Sequence, residues 1–320
     1  MASIAKYYDV EYIMPFLFCN DIFIPIFKKI FENEINPVKY VYGSTFCEWG
    51  LGGRPINFKI HKLGLIEKYL KKIINQYRLI PTFTFNNLNV KDSLKDEYSN
   101  SLLDIAYSLD CRFIVATEEL YNHIKLRYPD AKLHCSVIIP SIKIIEDRNF
   151  NETEFYNKML EKYEVVVIRP EYTMDNIDKL DKLLSDISRV EILINQHCQY
   201  NCPHHREHYY IQSEISKHGE DLKLKKYDKD TYEFFYFCPK KNDNYRSVML
   251  SEEQIEKAIN LGVKKIKIQG RSFPFDLLLK ELFISFFSQE YSEDEIRKRI
   301  DKICAELIQN NKKIGLFLSI

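Results

Sequence analysis

The sequence predicts an α/β protein built as a single (β/α)8 barrel of the TIM type, and three observations carry that expectation. From Tyr40 onward, short β-rich runs alternate with longer segments of helical period, the pattern of repeated βα units around a parallel sheet. The count of such units approaches eight. The 320 residues hold no linker rich in Gly, Pro or Ser, no short-period repeat and no low-complexity tract, and α/β barrels use this length as one unit. The expected organisation is an N-terminal decoration over 1–37, a barrel over 38–290 and a C-terminal helix over 291–320.

Taken in order, the apolar segment Ile13 to Phe31, broken by Pro15 and Pro25, predicts a strand and a helix that close one end of the barrel. The barrel strands are expected at Val38 to Gly43, Leu79 to Phe85, Arg112 to Ala116, Lys132 to Ile139, Glu164 to Ile168 and Val190 to Asn195, then at a weaker run from Glu233 to Phe237, and at Val263 to Gln269. Between them, Leu65, Ile66, Tyr69, Leu70, Ile73, Ile74 and Tyr77 mark one helical face, and Leu94, Tyr98, Leu102, Ile105 and Leu109 another. Ile177, Leu180, Leu183, Leu184 and Ile187 repeat the pattern. Ser251-Glu-Glu suits a helix N-terminus ahead of Ile255, Ala258, Ile259 and Leu261, and Ile296, Ile300, Ile303, Leu307 and Ile308 form the inward stripe of the last helix.

A chain that is 45% hydrophobic and 29% charged, with 22 Tyr and 21 Phe, belongs to a globular protein with a large core rather than a disordered one. Lys plus Arg and Asp plus Glu both total 46, so no net charge advertises a nucleic-acid or membrane partner. No apolar run approaches the roughly 18 residues that span a bilayer. Lys6, Asp9 and Glu11 ahead of Ile13 give no signal-peptide pattern, and a cytoplasmic location is expected, with no membrane insertion. The eight cysteines show no disulfide-rich spacing, so reduced or metal-bound thiols are expected.

The stretch Glu191 to Tyr209 concentrates the chemistry: an apolar run gives way to Cys198 and Cys202, then Pro203, His204, His205, Arg206, Glu207 and His208. Three readings compete, namely metal or iron-sulfur ligation through the thiols, zinc ligation through the histidines, and a structural turn of chance composition. Catalytic residues of a barrel sit on the loops leaving the C-terminal ends of its strands. By that criterion Cys47, Cys198, Cys202 and Cys238 fall on one face, as a 4Fe-4S cluster or a four-thiolate zinc requires. Cys19, Cys111, Cys135 and Cys304 fall elsewhere and are expected to be small buried hydrophobes. The Cys-x3-Cys pair lacks the third nearby cysteine of the usual radical S-adenosylmethionine loop, and Pro203, His204 and His205 stand in its place. His204, Glu207 and His208 match H-x-x-E-H, a zinc-peptidase pattern, though here it follows a strand rather than lying in a long helix. Arg54, Arg169, Arg206 and Arg271 each follow a strand and would rim the same mouth, which implies an anionic substrate; surface salt bridging is the plainer alternative for each.

Three stretches together resemble the U32 family of peptidases and collagenase-like proteins. Asn195-Gln-His-Cys-Gln-Tyr-Asn-Cys-Pro-His-His-Arg-Glu-His-Tyr209 is similar to that family's Asn-x-x-Cys-x-x-x-Cys-Pro-x-x-x-x-His-Tyr segment. Leu261-Gly-Val-Lys-Lys-Ile-Lys-Ile-Gln-Gly-Arg271 resembles its Gly-Val-x-x-Phe-Lys-Ile-Glu-Gly-Arg strand, with Gln269 in place of the glutamate, and Val41-Tyr-Gly-Ser-Thr-Phe-Cys47 resembles a barrel strand with its cysteine. The resemblance implies a TIM-like barrel and, as in several members, a 4Fe-4S cluster, here on Cys47, Cys198, Cys202 and Cys238. The implied activity is oxygen-independent hydroxylation of a quinone precursor or an RNA base, and since some members work as paired complexes the resemblance also implies a second U32-like subunit as a partner. On this reading Arg54, Arg169, Arg206 and Arg271 hold the anionic substrate, and His208 and Glu207 transfer protons. The alternatives are a metal-dependent hydrolase or peptidase using zinc, and a non-catalytic accessory subunit with a structural cluster. No Ser-His-Asp or Cys-His constellation supports a serine or cysteine peptidase.

Overall fold

Eight parallel strands close into a barrel in a computed structural model that describes residues 4–45, 47–50, 62–218, 247–271 and 273–311. In chain order the strands are β1 (Glu11–Met14), β2 (Val38–Gly43), β3 (Ile80–Phe85), β4 (Arg112–Val115), β5 (Leu133–Cys135), β6 (Val165–Ile168), β7 (Val190–Leu193), β8 (Asn195–Gln199), β9 (Ser247–Met249) and β10 (Lys265–Lys267). The barrel runs β1-β10-β7-β6-β5-β4-β3-β2, while β8 and β9 form a separate antiparallel pair.

The strand expected to cap the barrel is one of its staves. β1 pairs in parallel with β10 on one side and β2 on the other. Its alternation explains why four residues suffice: Tyr12 and Met14 point out into the core under the helices, and Ile13 points into the lumen beside Tyr40, Tyr42 and Ile114. Tyr12 meets the ring of Phe286 edge-on at 4.7 Å, which ties the first stave to the helix Phe275–Ser285. The weak run Glu233 to Phe237 lies outside the described residues.

Strand positions otherwise follow the apolar runs, though the runs overshoot the strands, by two residues at each end where Val263 to Gln269 yields Lys265–Lys267 and furthest at one other run. The run from Lys132 to Ile139 leaves the sheet at Cys135; Ser136 Oγ accepts from the Ile138 amide and the helix Ile138–Glu146 begins there. An unbroken apolar run does not separate a buried strand from the first turn of a buried helix.

Several helices start where a short polar side chain satisfies a free amide: Asp96 accepts from Ser99, Thr117 from Leu120 and Asn151 from Glu154. Ser251 and Gln254 form a reciprocal capping box at Glu252–Asn260. Predicted faces are buried at Ile66, Leu70, Ile73, Leu102, Ile255, Ala258, Ile296 and Ile300, whereas Leu65 is exposed. Two layers result, a large apolar shell between barrel and helices and a small lumen lined by alternate residues of each stave.

Candidate metal centre

The chain leaves the barrel at the C-terminal end of β7 and immediately enters β8, so the residues after Leu193 stand over the barrel mouth. Asn195, fully buried, fixes that exit. Its side chain donates to Gln269 O at 3.1 Å and to Glu281 Oε2 at 3.0 Å, and accepts from the Gln269 amide at 2.6 Å. Gln269 Oε1 in turn accepts from the His197 amide at 3.2 Å, and the His197 imidazole lies 3.0 Å from Glu281 Oε1. Burial pushes the Glu281 carboxyl up, but the hydrogen bonds from His197 and Asn195 outweigh it and hold the group below the ordinary carboxylate range.

Past β8 the chain reverses. Asn201 takes a left-handed φ of 47°, a conformation that asparagine tolerates better than most residues, and the Cys202 amide returns to Gln199 O at 3.2 Å. The helix His205–His218 starts directly afterwards. This reversal brings Cys198, Cys202 and His205 together, with Sγ, Sγ and an imidazole nitrogen all within 4.8 Å of one another. Cys198 Sγ is 2.8 Å from His205 Nε2. Cys202 and His205 are buried and Cys198 is half-buried.

The electrostatics suit ligation. The hydrogen bond from Cys198 lowers the Cys202 thiol to about 6, with the His204 amide and charge helping against the opposing effect of burial. Burial, reinforced by the nearby Arg169 charge, lowers His205 to about 4, so its imidazole is neutral at pH 7 and can donate a lone pair. Two soft thiols and an imidazole are the donor set of zinc and iron-sulfur sites rather than of magnesium or calcium.

The other predicted residues are placed differently. Cys47 is buried in the apolar shell, where burial raises its thiol to about 12 despite hydrogen bonds from the Gly50 and Trp49 backbone; it is not among the three donors that converge among the described residues. Cys238 and Arg54 lie outside the described residues. Cys111 and Cys135 are buried in the shell, with Cys19 and Cys304 partly buried. His204, Glu207 and His208 form no converging group of their own among the described residues, although Glu207 and His208 lie on the first turns of the helix that carries His205. Arg206 is exposed and pairs with Glu146 at 3.0 Å. Arg271 stands at the mouth, its guanidinium on Thr84 Oγ1 and 5.9 Å from the centre of the Tyr42 ring. Arg169 is 1% exposed and bound to Glu152, Glu171 and Asn201. Strand position does not single out His205 as a candidate donor, nor Asn195, Gln269 and Glu281 as the network that fixes the exit into β8; for His205 the spacing Cys-x3-Cys-x2-His is the signal present in the sequence.

No protein-family model and no curated protein matches this sequence. Among solved structures, the chain is similar to the U32 peptidase Mk0906, with a TM-score of 0.50 and 10% identity over 86% of this chain and 98% of that one. A second similarity, to the Bacillus cereus spore cortex-lytic enzyme SleL, has a TM-score of 0.39 and 13% identity, covering 86% of this chain and 74% of that one. The first likeness shows a shared fold and bears out the barrel that the U32 resemblance implies. No helix among the described residues is long and apolar enough to cross a membrane.

Proposed function

We propose that this chain is a metal-dependent barrel enzyme of the U32 type, with an iron-sulfur cluster at the mouth and an anionic substrate of the RNA-base or quinone-precursor class. The observation that carries the reading is the convergence of Cys198, Cys202 and His205 around the turn that follows β8, two of them buried and none part of the apolar core cluster. Cys238 is the fourth donor in this proposal, and His205 takes the place that the family resemblance gives to Cys47. A 4Fe-4S cluster held by these four donors would supply electron transfer at the mouth.

The chain's own residues divide the remaining work. Cys202, already acidic, loses its proton with little cost when it becomes a ligand. Arg271 offers a guanidinium to an anionic group, and its bond to Thr84 orients that fork. Glu207 and His208 lie next to the centre on the helix that starts at His205 and are the proton-transfer candidates for an oxygen-independent hydroxylation.

A second reading, a single zinc ion serving a hydrolase, is favoured by compactness. Arms of about 2.0 to 2.3 Å on one ion place ligand atoms within about 4 Å of each other, and the three donors already lie within 4.8 Å. Two cysteines and one histidine with an open fourth position also suit catalytic zinc.

Anaerobic purification followed by metal and sulfide analysis separates the two. About four irons with matching acid-labile sulfide per chain and a brown colour are expected for the cluster. One zinc per chain would establish the second reading, and protein that binds neither metal on reconstitution would overturn both.

A further inference from the structure

Arg169 was a candidate substrate ligand, and its surroundings assign it elsewhere. It follows the last residue of β6, and its guanidinium donates to Glu152 Oε2 at 3.1 Å and to Asn201 Oδ1 at 2.6 Å, with Glu171 Oε1 at 3.4 Å. Arg169 and Glu171 are 1% and 2% exposed. The opposing carboxylates outweigh the effect of burial and keep the guanidinium charged. A substrate anion would have to displace one of two carboxylates already in place, which makes this arginine a poor external clamp.

The same group grips the turn between the two thiols. Asn201, the left-handed residue of that turn, is held at its side chain by Arg169 and at its backbone amide by Glu171 Oε1, 3.3 Å away. The grip is anchored behind Arg169 as well: the Tyr156 hydroxyl accepts from the Arg169 amide and donates to Glu152 Oε1, both at 3.0 Å. The turn carries Cys198 on one side and Cys202 on the other, so its shape sets the distance between the two sulfurs.

We infer that Arg169, Glu171 and Asn201 form a clamp that holds the Cys198–Cys202 turn in ligating geometry before metal arrives, so that Arg169 is a positioning residue of the centre. The inference rests on the metal centre proposed above. Groups that orient ligands in this way typically carry about 10- to 100-fold in metal affinity.

Cobalt(II) titration of the metal-free, reduced full-length chain tests it, because thiolate-to-cobalt absorption reports sulfur ligation independently of any activity. Asn201→Gly retains the left-handed backbone and removes only the acceptor for Arg169; it should weaken cobalt binding about 10- to 100-fold with an unchanged melting temperature. Asn201→Asp retains the acceptor and should bind as the wild type does. Arg169→Lys keeps the charge between the carboxylates but loses the fork, and should weaken binding as Asn201→Gly does, which keeps the test decisive if the glycine variant is unstable. Wild-type affinity in a folded Asn201→Gly or Arg169→Lys protein overturns the clamp while the centre stands. Cys198→Ser combined with Cys202→Ser should remove the thiolate band of the mouth pair and its cobalt affinity, and a folded double variant that binds cobalt like the wild type overturns the centre and the clamp with it.

Discussion

The barrel lumen and the barrel mouth both bury polar side chains, yet they do so in opposite ways. In the lumen, Lys267 donates to Glu191 Oε1 at 2.7 Å, with side-chain exposures of 9% and 0%, and the ammonium lies 4.4 Å from the centre of the Tyr42 ring. Charge there meets opposite charge across neighbouring staves, since Lys267 pairs in register with Leu193 two residues from Glu191. At the mouth, Cys198, Cys202 and His205 converge on one another with no opposite charge among them. Burial of polar atoms is therefore not in itself a mark of function. Convergence of donors that a cation would complete is the more informative feature.

Breaking the lumen pair should give the largest effect. Lys267→Met leaves the Glu191 carboxylate buried without its partner, and loss of one member of a buried pair costs about 3 to 5 kcal/mol. Adding Glu191→Gln should recover most of it. Urea unfolding of the two variants reads this directly, with metal content unchanged in both; a single variant as stable as the wild type would show that the lumen pair does not hold the staves together.

A smaller, pH-dependent effect comes from His134, which faces the same lumen with Nδ1 3.8 Å from Glu191 Oε2. Burial first, then the charges of Lys267, Arg112 and Lys265, push its pKa well below the ordinary histidine value. The folded state therefore keeps His134 neutral while the unfolded chain takes up a proton below about pH 6.5. The stability contributed by this group is therefore fully present above that pH and falls as the solution is acidified, by at most about 1.4 kcal/mol per pH unit for one group. His134→Phe should flatten this acid limb relative to the wild type in thermal melts between pH 7 and 5. An identical limb in the variant would remove His134 as its source.

The sequence made most of the barrel legible because its staves are contiguous apolar runs, as at Val165–Ile168 and Val190–Leu193. β1 is hidden because its four residues run directly into Pro15 and the apolar stretch that leads to the helix Phe23–Ile30, so that nothing in the one-dimensional pattern marks it as a stave. At the site, the thiol pair was visible from its place after a strand, but the same positional rule admitted Cys47, which the fold packs into the shell. Position after a strand fixes which face a residue is near; it does not fix whether the side chain points to the mouth or to the helices. His205 escaped notice for the converse reason. Three histidines in five residues look equivalent until the turn at Asn201 and the start of the helix select the one that faces the sulfurs.

The central claim is that metal is held by the mouth thiols and not by the core ones. Its most direct test is metal stoichiometry in two double variants purified anaerobically side by side, Cys198→Ser with Cys202→Ser and Cys111→Ser with Cys135→Ser. The account predicts that the core variant retains the wild-type metal content and the mouth variant has none while keeping its circular dichroism spectrum. A folded mouth variant that retains its metal would contradict it.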